Sequence, residues 1–510
     1  MAVDPRTPVI VGVGQSAENI GDSSYRGMSA VELATAAAQA ALSDTGADPG
    51  ALARAIDTVA GVRQFEISGP APAPLGRSTN YPRSVARRIG AEPARAIVEV
   101  IGGQGPQHLV TEFAGAIAAG AADVVMVLGS ENTSSIRYFA DVKGQQPDHS
   151  ETVDGQLEDR GFGYEGIFNK YTISHGLTGA PVQYGLLENA RRARLGLSVT
   201  EYRRAMGELF APFTKVAAKN PFSSSPVERS VDELITVTDS NRMICDPYPR
   251  LLLARDQVNQ GAAALLMSVE AARRLGVPEE KWVYLRGHAD MKEQPLLERV
   301  DLGRGPASVM ALREALTVAG IGIDDIATFD LYSCFPVPVF NICDGVGLAG
   351  DDPRGLTLTG GLPFFGGPGN NYSMHGIVET VDEMRCRPGQ FGLVGANGGI
   401  MSKYSVGVYS TEPADWAQDG STALQDEVAK FARVQVTETA DGPATIETYS
   451  VRFDWPVRTA VIVGRLAADD SRFLAASEDE DLVALLANGE PLGARISVRS
   501  TEHGNRASLR

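Results

Sequence analysis

One stretch decides the fold of this chain: Glu99-Val100-Ile101-Gly102-Gly103-Gln104-Gly105-Pro106. Before it, residues 96–101 form a short apolar run typical of a strand, and after it residues 107–120 place apolar side chains on one helical face. Residues 124–128 are apolar without alternation, as in a parallel strand covered on both faces. A glycine-rich turn that leads into a helix offers free amide N–H groups to an anion or oxyanion. The stretch therefore predicts a binding or catalytic turn.

The composition is that of an ordinary globular protein, with 510 residues, 43% hydrophobic residues and 21% charged residues. This length favours two or three domains. A formal charge of −17 disfavours a nucleic-acid or anionic-membrane partner. The four cysteines lack CxxC spacing, the six histidines show no metal-ligand pattern, and no apolar run is long enough to span a membrane. We expect a reduced, cytoplasmic protein without a metal.

The order of elements predicts five segments. Residues 1–131 alternate strands and helices, which indicates a mostly parallel α/β sheet. Residues 132–250 break this rhythm and are interpreted as an insertion over the sheet ends, and residues 251–411 repeat the order of the first segment. Residues 412–430 are polar and predict a linker. Residues 431–510 carry short strand patterns that predict a small all-β barrel.

The tail also carries a hairpin signal. Residues 434–439 and 444–453 flank Ala440-Asp441-Gly442-Pro443, a typical turn sequence. The two runs are therefore predicted to pair with each other as antiparallel strands.

Four stretches occur in an order and spacing that resemble the thiolase superfamily: Pro8 to Gly14, Ala119 to Glu131, Gln260 to Met267, and Gly360-Gly361 before a glycine loop. The chain is most similar to the sterol-carrier-protein thiolases and to thiolase-like proteins of type 1, which carry an additional C-terminal domain. The resemblance implies a duplicated thiolase fold of two βαβαβαββ halves in five α/β layers. It also implies an inserted loop domain and a C-terminal barrel similar to an OB-fold.

The same resemblance locates the catalytic positions, and none holds the thiolase residue. The nucleophilic cysteine falls on Gly103, and the Asn or His of the second motif falls on Tyr332. The histidine motif falls on Asn370, or on residues 366–368 if its proline is matched, and the last cysteine falls on Ala396. Loss of a covalent nucleophile costs on the order of a million-fold in turnover. Thiolysis and Claisen condensation are therefore expected to be absent.

Residues near these motifs are the candidates for lining a cavity: Gly102, Gly103, Gln104, His108, Tyr332, Ser333, Cys334, Asn370, Asn371, Tyr372, His375 and Asn397. Cys334 is either a replacement nucleophile or a small buried hydrophobe. His108 and His375 either share the cavity as acid/base groups or are structural. The polar cluster 370–372 either lines the site or shapes a turn.

Coenzyme A or an acyl-CoA is the ligand that the resemblance implies, with no covalently bound cofactor. Arg191, Arg192 and Arg194, together with basic residues of 203–219, either meet its phosphates or form a solvated helix face. A pantetheine-side serine falls on Asp256. Thiolases usually form dimers or tetramers through the strand near residues 96–101, and the fused tail leaves the oligomeric state open.

Three functions follow from the resemblance. The first is a thiolase-like protein of acyl-CoA and lipid metabolism, an acetyl-CoA acetyltransferase homologue that binds a thioester without thiolase turnover. The second is a retro-aldolase that acts on a β-hydroxyacyl-CoA through Tyr332 and Tyr372, since related proteins without the cysteine carry tyrosines near these motifs. The third is a non-catalytic scaffold.

Overall fold

The computed structural model describes residues 3–69, 71–142, 144, 146–165, 167–453 and 458–510. The first half contains β1 Pro8–Ala17, α1 Ala30–Asp44, α2 Pro49–Ala55, β2 Thr58–Gly61, α3 Tyr81–Ile89, β3 Arg95–Val98, α4 Gly105–Ala118 and β4 Val124–Glu131. The insertion contains α5 Thr133–Asp141, β5 Glu158–Asp159, α6 Lys170–Ser174, α7 Ala180–Leu195, α8 Val199–Ala217, α9 Val231–Ile235, β6 Met243–Cys245 and β7 Tyr248–Pro249.

The remaining elements form the second half and the tail. The second half contains β8 Gln260–Ser268, α10 Val269–Arg274, β9 Val283–Lys292, α11 Pro306–Ala319, β10 Ile326–Leu331, α12 Pro336–Val346, α13 Tyr372–Cys386, β11 Phe391–Gly398 and β12 Lys403–Ser410. The tail contains α14 Ser421–Val428, β13 Gly442–Arg452, β14 Thr459–Leu466, β15 Arg472–Ser477, α15 Glu480–Asn488, β16 Arg495–Thr501 and β17 Gly504–Leu509.

The two halves form one continuous ten-stranded sheet, in the order β10-β11-β12-β9-β1-β8-β4-β2-β3-β5. Strand β8 belongs with the first half, because it pairs antiparallel with both β1 and β4. The halves meet where Val9 and Ile10 pair with Tyr284 and Val283. The second half departs from the repeat in one respect: residues 357–361, which precede α13, form no strand.

The strands of the two halves form two layers and the helices form three more, so the predicted five-layered α/β architecture is confirmed. Helices α1 and α3 pack on the outer face of the first half. Helices α4 and α13 lie in the middle, between the strands of the two halves. Helices α11 and α12 cover the second half. Strand β1 shows the arrangement within one segment, since Val9 and Val11 face the outer layer and Ile10 and Val13 face the middle layer.

Helix α4 forms as its sequence predicts. Pro106 lies in its first turn, where no backbone N–H is needed. Leu109, Phe113 and Ile117 are fully buried, and they line one face at helical spacing. This burial anchors the helix in the middle layer and holds its N-terminus at the glycine turn.

The open edge of β3 is covered by the chain itself. Residues 97 and 98 pair with β5 in parallel, and two further backbone hydrogen bonds continue the contact, from Arg160 to Val98 (3.1 Å) and from Ile101 to Phe162 (3.0 Å). The Arg160 guanidinium then bridges Glu99 and Glu112. The strand to which the resemblance assigns subunit pairing is thus occupied by a segment of the insertion.

The tail forms a closed five-stranded barrel in the order β13-β14-β15-β17-β16-β13. Pairs along this ring are antiparallel except β15 with β17, and α15 lies between β15 and β16 in sequence. These features match an OB-fold, as expected. The predicted hairpin is wrong, because β13 pairs with β14 and β16. Residues 434–439 lie instead beside Arg472. The backbone N–H of Arg472 donates to the Gln435 carbonyl, and the Arg472 carbonyl accepts the Thr437 N–H.

The barrel is fastened to the rest of the chain on two sides. Strand β6 joins its sheet through Cys245, which pairs with Arg452, and Thr448 donates to the Leu186 carbonyl of α7 (2.6 Å). Within the predicted linker, α14 forms and binds β9, where the Asp290 N–H donates to the Ser421 hydroxyl (3.0 Å). No helix of the described residues combines the length and the apolar composition needed to cross a membrane.

Candidate functional site

The glycine-rich turn at residues 102–105 is held in place by the corresponding turn of the second half, residues 369–371, and by the start of α13. Gly102, whose φ of 144° favours glycine, donates its N–H to Asn370 Oδ1 (3.0 Å). The amide nitrogen of Asn370 donates to the Arg63 carbonyl (2.7 Å), and the Ser373 hydroxyl donates to the Gly103 carbonyl (2.6 Å). The residues that the resemblance assigns to the first and third motifs therefore contact each other.

The position of the missing nucleophile is filled by a phenol ring. A Cβ atom placed on Gly103 would overlap three atoms of Tyr332, including its hydroxyl oxygen. Tyr332 itself is 8% exposed. The space that a cysteine side chain would need at the start of α4 is thus taken by the residue of the second motif.

Tyr332 and Tyr372 form the pair that the aldolase hypothesis requires. Their rings meet edge to face at 5.4 Å between centroids. The Tyr372 hydroxyl lies 2.6 Å from the Thr359 hydroxyl. Burial raises the pKa of both phenols well above the usual value, so both stay protonated at neutral pH.

Cys334 lies beside this pair in a buried polar cluster. The Asn397 amide donates to the Tyr184 hydroxyl (2.9 Å) and lies 3.9 Å from the Cys334 sulfur. Burial raises the pKa of the Cys334 thiol to about 12. The thiol is therefore protonated at neutral pH and is a poor nucleophile. The neighbouring Ser333 has a structural contact, because its hydroxyl accepts the Leu362 N–H (3.2 Å).

Sequence reasoning missed Tyr184. Its ring stacks on Phe335 at 4.3 Å and brings α7 of the insertion onto the site. A tyrosine on a helical face carries no sequence signal for such a contact, since its partners lie far along the chain.

The two histidines do not share a cavity, so the first of the two alternatives left open by the sequence does not apply. His375 is fully buried, with Nδ1 2.5 Å from Gln15 Oε1 and its ring against Phe365. Burial lowers the pKa of His375 to about 3. His108 lies instead on an open cleft of about 730 Å³, because its position on α4 is turned away from the buried stripe.

His108 is held by acids in that cleft. Its Nδ1 lies 3.2 Å from Asp290 Oδ2, and Asp290 also accepts the Ser405 hydroxyl. Although burial opposes the charge, the hydrogen bond and the negative field of Asp290 raise the pKa of His108 to about 9, with smaller contributions from Glu99 and Glu112. Sequence reasoning missed Asp290, which lies on a strand far along the chain.

Glu99, His108 and Glu112 together offer ligand atoms within 4.8 Å of one another, which is close enough for a metal ion. The Arg160 guanidinium lies 2.6 Å from both carboxylates and offsets one of their two negative charges. The described residues thus hold a cation of their own at this point, and the expectation of no metal stays a prediction.

Three candidate positions remain. Gln104 and Asn371 are buried, and Gln104 Oε1 and both amide atoms of Asn371 have no hydrogen-bond partner among the described residues. Ala396 is fully buried on β11, opposite Ser405. These positions lie among the motifs but present no reactive group.

The predicted phosphate-binding arginines are engaged in ion pairs within the chain. Arg191 binds Asp344 (2.8 Å), and its guanidinium lies 4.0 Å from the Phe340 ring centroid. Arg192, 1% exposed, binds Glu490 of the tail (2.5 Å). Arg194 pairs with Asp301 and Asp344, and the predicted pantetheine-side residue Asp256 pairs with Arg137. The three arginines thus connect α7 to its neighbours.

Comparisons with known proteins agree with this architecture. The family model described as "Thiolase-like protein type 1 additional C-terminal domain" matches residues 423–503. The crystal structure of a monomeric SCP2-thiolase like protein type 1 (STLP1) from Mycobacterium smegmatis is 65% identical, covers 100% of both chains and has a TM-score of 0.87. No curated protein matches the chain.

Two further structures share the fold at low identity. The Ltp2-ChsH2(DUF35) aldolase is 19% identical over 80% of this chain and 98% of its own, with a TM-score of 0.58. The acetyl-CoA acetyltransferase from Syntrophomonas wolfei is 17% identical over 80% and 99%, with a TM-score of 0.54. The fold and its motif positions thus define a thiolase-superfamily protein. The chain belongs to the SCP2-thiolase-like protein type 1 family.

Proposed function

We propose that this protein binds a coenzyme A thioester of acyl-CoA metabolism and catalyses neither thiolysis nor Claisen condensation. The observation that carries the proposal is the Tyr332 ring, which occupies the space of the nucleophile at Gly103. Acyl transfer by the thiolase route needs a thiolate at the start of this helix. Here that position offers neither a sulfur atom nor room for one.

The neighbouring groups do not replace the nucleophile. Cys334 keeps its proton, because burial raises its pKa to about 12. His375 is enclosed and uncharged, since its pKa is lowered to about 3. An active thiolate needs a positive or polar environment that lowers the thiol pKa, and burial has the opposite effect on Cys334.

Coenzyme A is proposed as the ligand from the family relationship and from the basic residues of the insertion. With Arg191 and Arg192 engaged in ion pairs, the exposed cations that remain for its phosphates include Lys215 and Lys219 at the end of α8. Neither lysine forms an ion pair in the part of the chain that the structure describes. Lysine binds phosphate as a mobile point charge.

Calorimetric titration of the whole protein with coenzyme A and acetyl-CoA tests the ligand. We expect binding, and we expect Lys215→Gln with Lys219→Gln to weaken it at least tenfold at low salt. The matched control is Lys430→Gln, an exposed lysine near the barrel, which should leave the affinity unchanged. Absence of binding to the wild-type protein would reject the ligand.

Retro-aldol cleavage of a β-hydroxyacyl-CoA is the second candidate, and the contact between Tyr332 and Tyr372 favours it. A phenol can relay the hydroxyl proton of such a substrate. Mass spectrometry of the products separates this function from simple binding. Cleavage that Tyr332→Phe abolishes would support the lyase, and full cleavage by that variant would reject this mechanism.

We also propose that the protein is a monomer, as STLP1 is described to be. The pairing of β5 with β3 supports the proposal, because it occupies the backbone groups of the edge strand. Strand β5, which covers the edge of β3, belongs to the insertion and not to the barrel.

A further inference from the structure

A second large cleft, which we name the arginine cleft, lies where α7, α11 and α12 approach the chain that leads to the barrel. Its volume is about 790 Å³, and it includes none of Gly103, Tyr332 and Tyr372. Its wall combines apolar and cationic side chains, including Leu195, Val309, Met310, Phe431, Arg299 and Arg313. Apolar walls with a few converging polar groups are typical of small-molecule sites.

Arg299 is the buried polar group of this cleft, and it is 3% exposed. Its Nε donates to the Gln294 carbonyl (2.9 Å), and its Nη2 donates to the Met401 carbonyl (3.0 Å) and the Ser402 hydroxyl (3.4 Å). A guanidinium has five N–H donors, so these contacts use three. The two donors on Nη1 are buried and have no partner among the described residues.

Arg299 also lacks a direct ion-pair partner among the described residues, although the negative charge of Glu293 partly offsets the cost of its burial. No described carboxylate lies within 4.0 Å of its guanidinium. The nearby Glu293 uses its oxygens on the N–H groups of Gln294 (3.0 Å) and Ala307 (2.8 Å). Burial lowers the pKa of Arg299 to about 10, which still leaves the group protonated at neutral pH. A buried cation without a partner is costly, and an anion bound in the cleft would remove that cost.

A second cation faces the same cleft. Arg313 donates to the Gly345 carbonyl (2.8 Å) and likewise has no carboxylate partner among the described residues. The other two arginines of the wall, Arg194 and Arg304, are already paired with Asp301. The wall holds four arginines and three carboxylates, Glu293, Asp301 and Asp344, so one negative charge on a ligand balances it.

We propose that the arginine cleft binds a small organic monocarboxylate with an apolar body. The carboxylate is attracted by the charges of Arg299 and Arg313, and the apolar body lies against Val309, Met310 and Phe431. The proposal is independent of thioester binding, because it uses none of the residues assigned to that function.

Isothermal titration of the full-length protein with decanoate tests the proposal, with decanol and inorganic phosphate as comparison probes. We expect decanoate to bind, and both other probes to bind at least tenfold more weakly, because one lacks the charge and the other lacks the apolar body. Binding of decanol or of phosphate as tight as that of decanoate would overturn the proposal, as would the absence of decanoate binding at millimolar concentration.

Variants locate the site. Replacement of Arg299 would also remove contacts to Gln294 and Met401, so the test uses Arg313→Gln and Met310→Trp, whose side chains are at least partly exposed. Each should weaken decanoate binding at least tenfold while the circular dichroism spectrum and the melting temperature stay unchanged. The control is Arg87→Gln, an exposed arginine of a different cleft of about 790 Å³. Unchanged decanoate affinity in both cleft variants would refute the assignment.

Discussion

Replacement of Gly103 by alanine tests the central contact of the site, because an added Cβ would overlap the Tyr332 ring. The φ angle of Gly103 lies outside the left-handed region, so the substitution adds volume without backbone strain. Overpacking of a closed site costs about 1–3 kcal/mol. Alanine also lowers the conformational entropy of the unfolded chain relative to glycine, which stabilises the folded state by about 0.4–1 kcal/mol. We expect a net loss of about 1 kcal/mol, which lowers the melting temperature by about 2–4 °C if the cooperative unit is one half of the fold.

A double-mutant cycle isolates the contact. Tyr332→Leu removes the ring, and Gly103→Ala should then be neutral or stabilising in that background. Gly105→Ala is the matched control, since its Cβ would meet only Glu99 Cγ, at 3.6 Å, an ordinary contact. Differential scanning calorimetry of the four cycle members measures the coupling. Equal melting temperatures for wild type, Gly103→Ala and Gly105→Ala would refute the reasoning.

Three further predictions follow from the site. Iodoacetamide at pH 8 should alkylate the exposed Cys386 and spare Cys334, because burial raises the pKa of the Cys334 thiol to about 12. Peptide mass spectrometry measures the labelling of each cysteine. Rapid labelling of Cys334 in the native protein would contradict the prediction. The pKa of His375, lowered to about 3, favours the neutral ring in the folded state, so its contribution to stability is present above pH 6.5 and lost as the pH falls towards 3. The pKa of His108 is raised to about 9, so its contribution is present below pH 6.5 and lost as the pH rises through 9. Melting temperatures against pH for His375→Gln and His108→Gln should therefore differ from wild type with opposite slopes, and parallel curves would reject both assignments. Light scattering should give a mass near 54 kDa, and a dimer would show that the pairing of β5 with β3 does not prevent association.

Much of the fold follows from local patterns. Helix α4 is an example, because residues 107–120 place apolar side chains on one helical face and Leu109, Phe113 and Ile117 are buried on it. The hairpin prediction failed because Gly442 and Pro443 lie inside the paired part of β13, where they oppose β16. Turn chemistry is local, whereas the partner of a strand is set by tertiary contacts.

The candidate site was predictable in its parts and not in its arrangement. The resemblance identified the positions Gly103 and Tyr332. No local sequence signal shows that the Tyr332 ring occupies the space beside Gly103. The charges of α7 were compatible with phosphate binding, and only the folded chain brings Asp344 and Glu490 onto Arg191 and Arg192. Pairings between distant residues decide both outcomes.

The measurement that tests the account most directly is thiolysis of acetoacetyl-CoA by the purified wild-type protein in the presence of coenzyme A. Product analysis is combined with the intact mass of the protein after rapid quenching. The account predicts no acetyl-CoA above the uncatalysed rate and an unchanged protein mass, because the nucleophile position holds a glycine covered by Tyr332. Turnover at an ordinary enzymatic rate, or a protein that carries a covalent acetyl group, would contradict it.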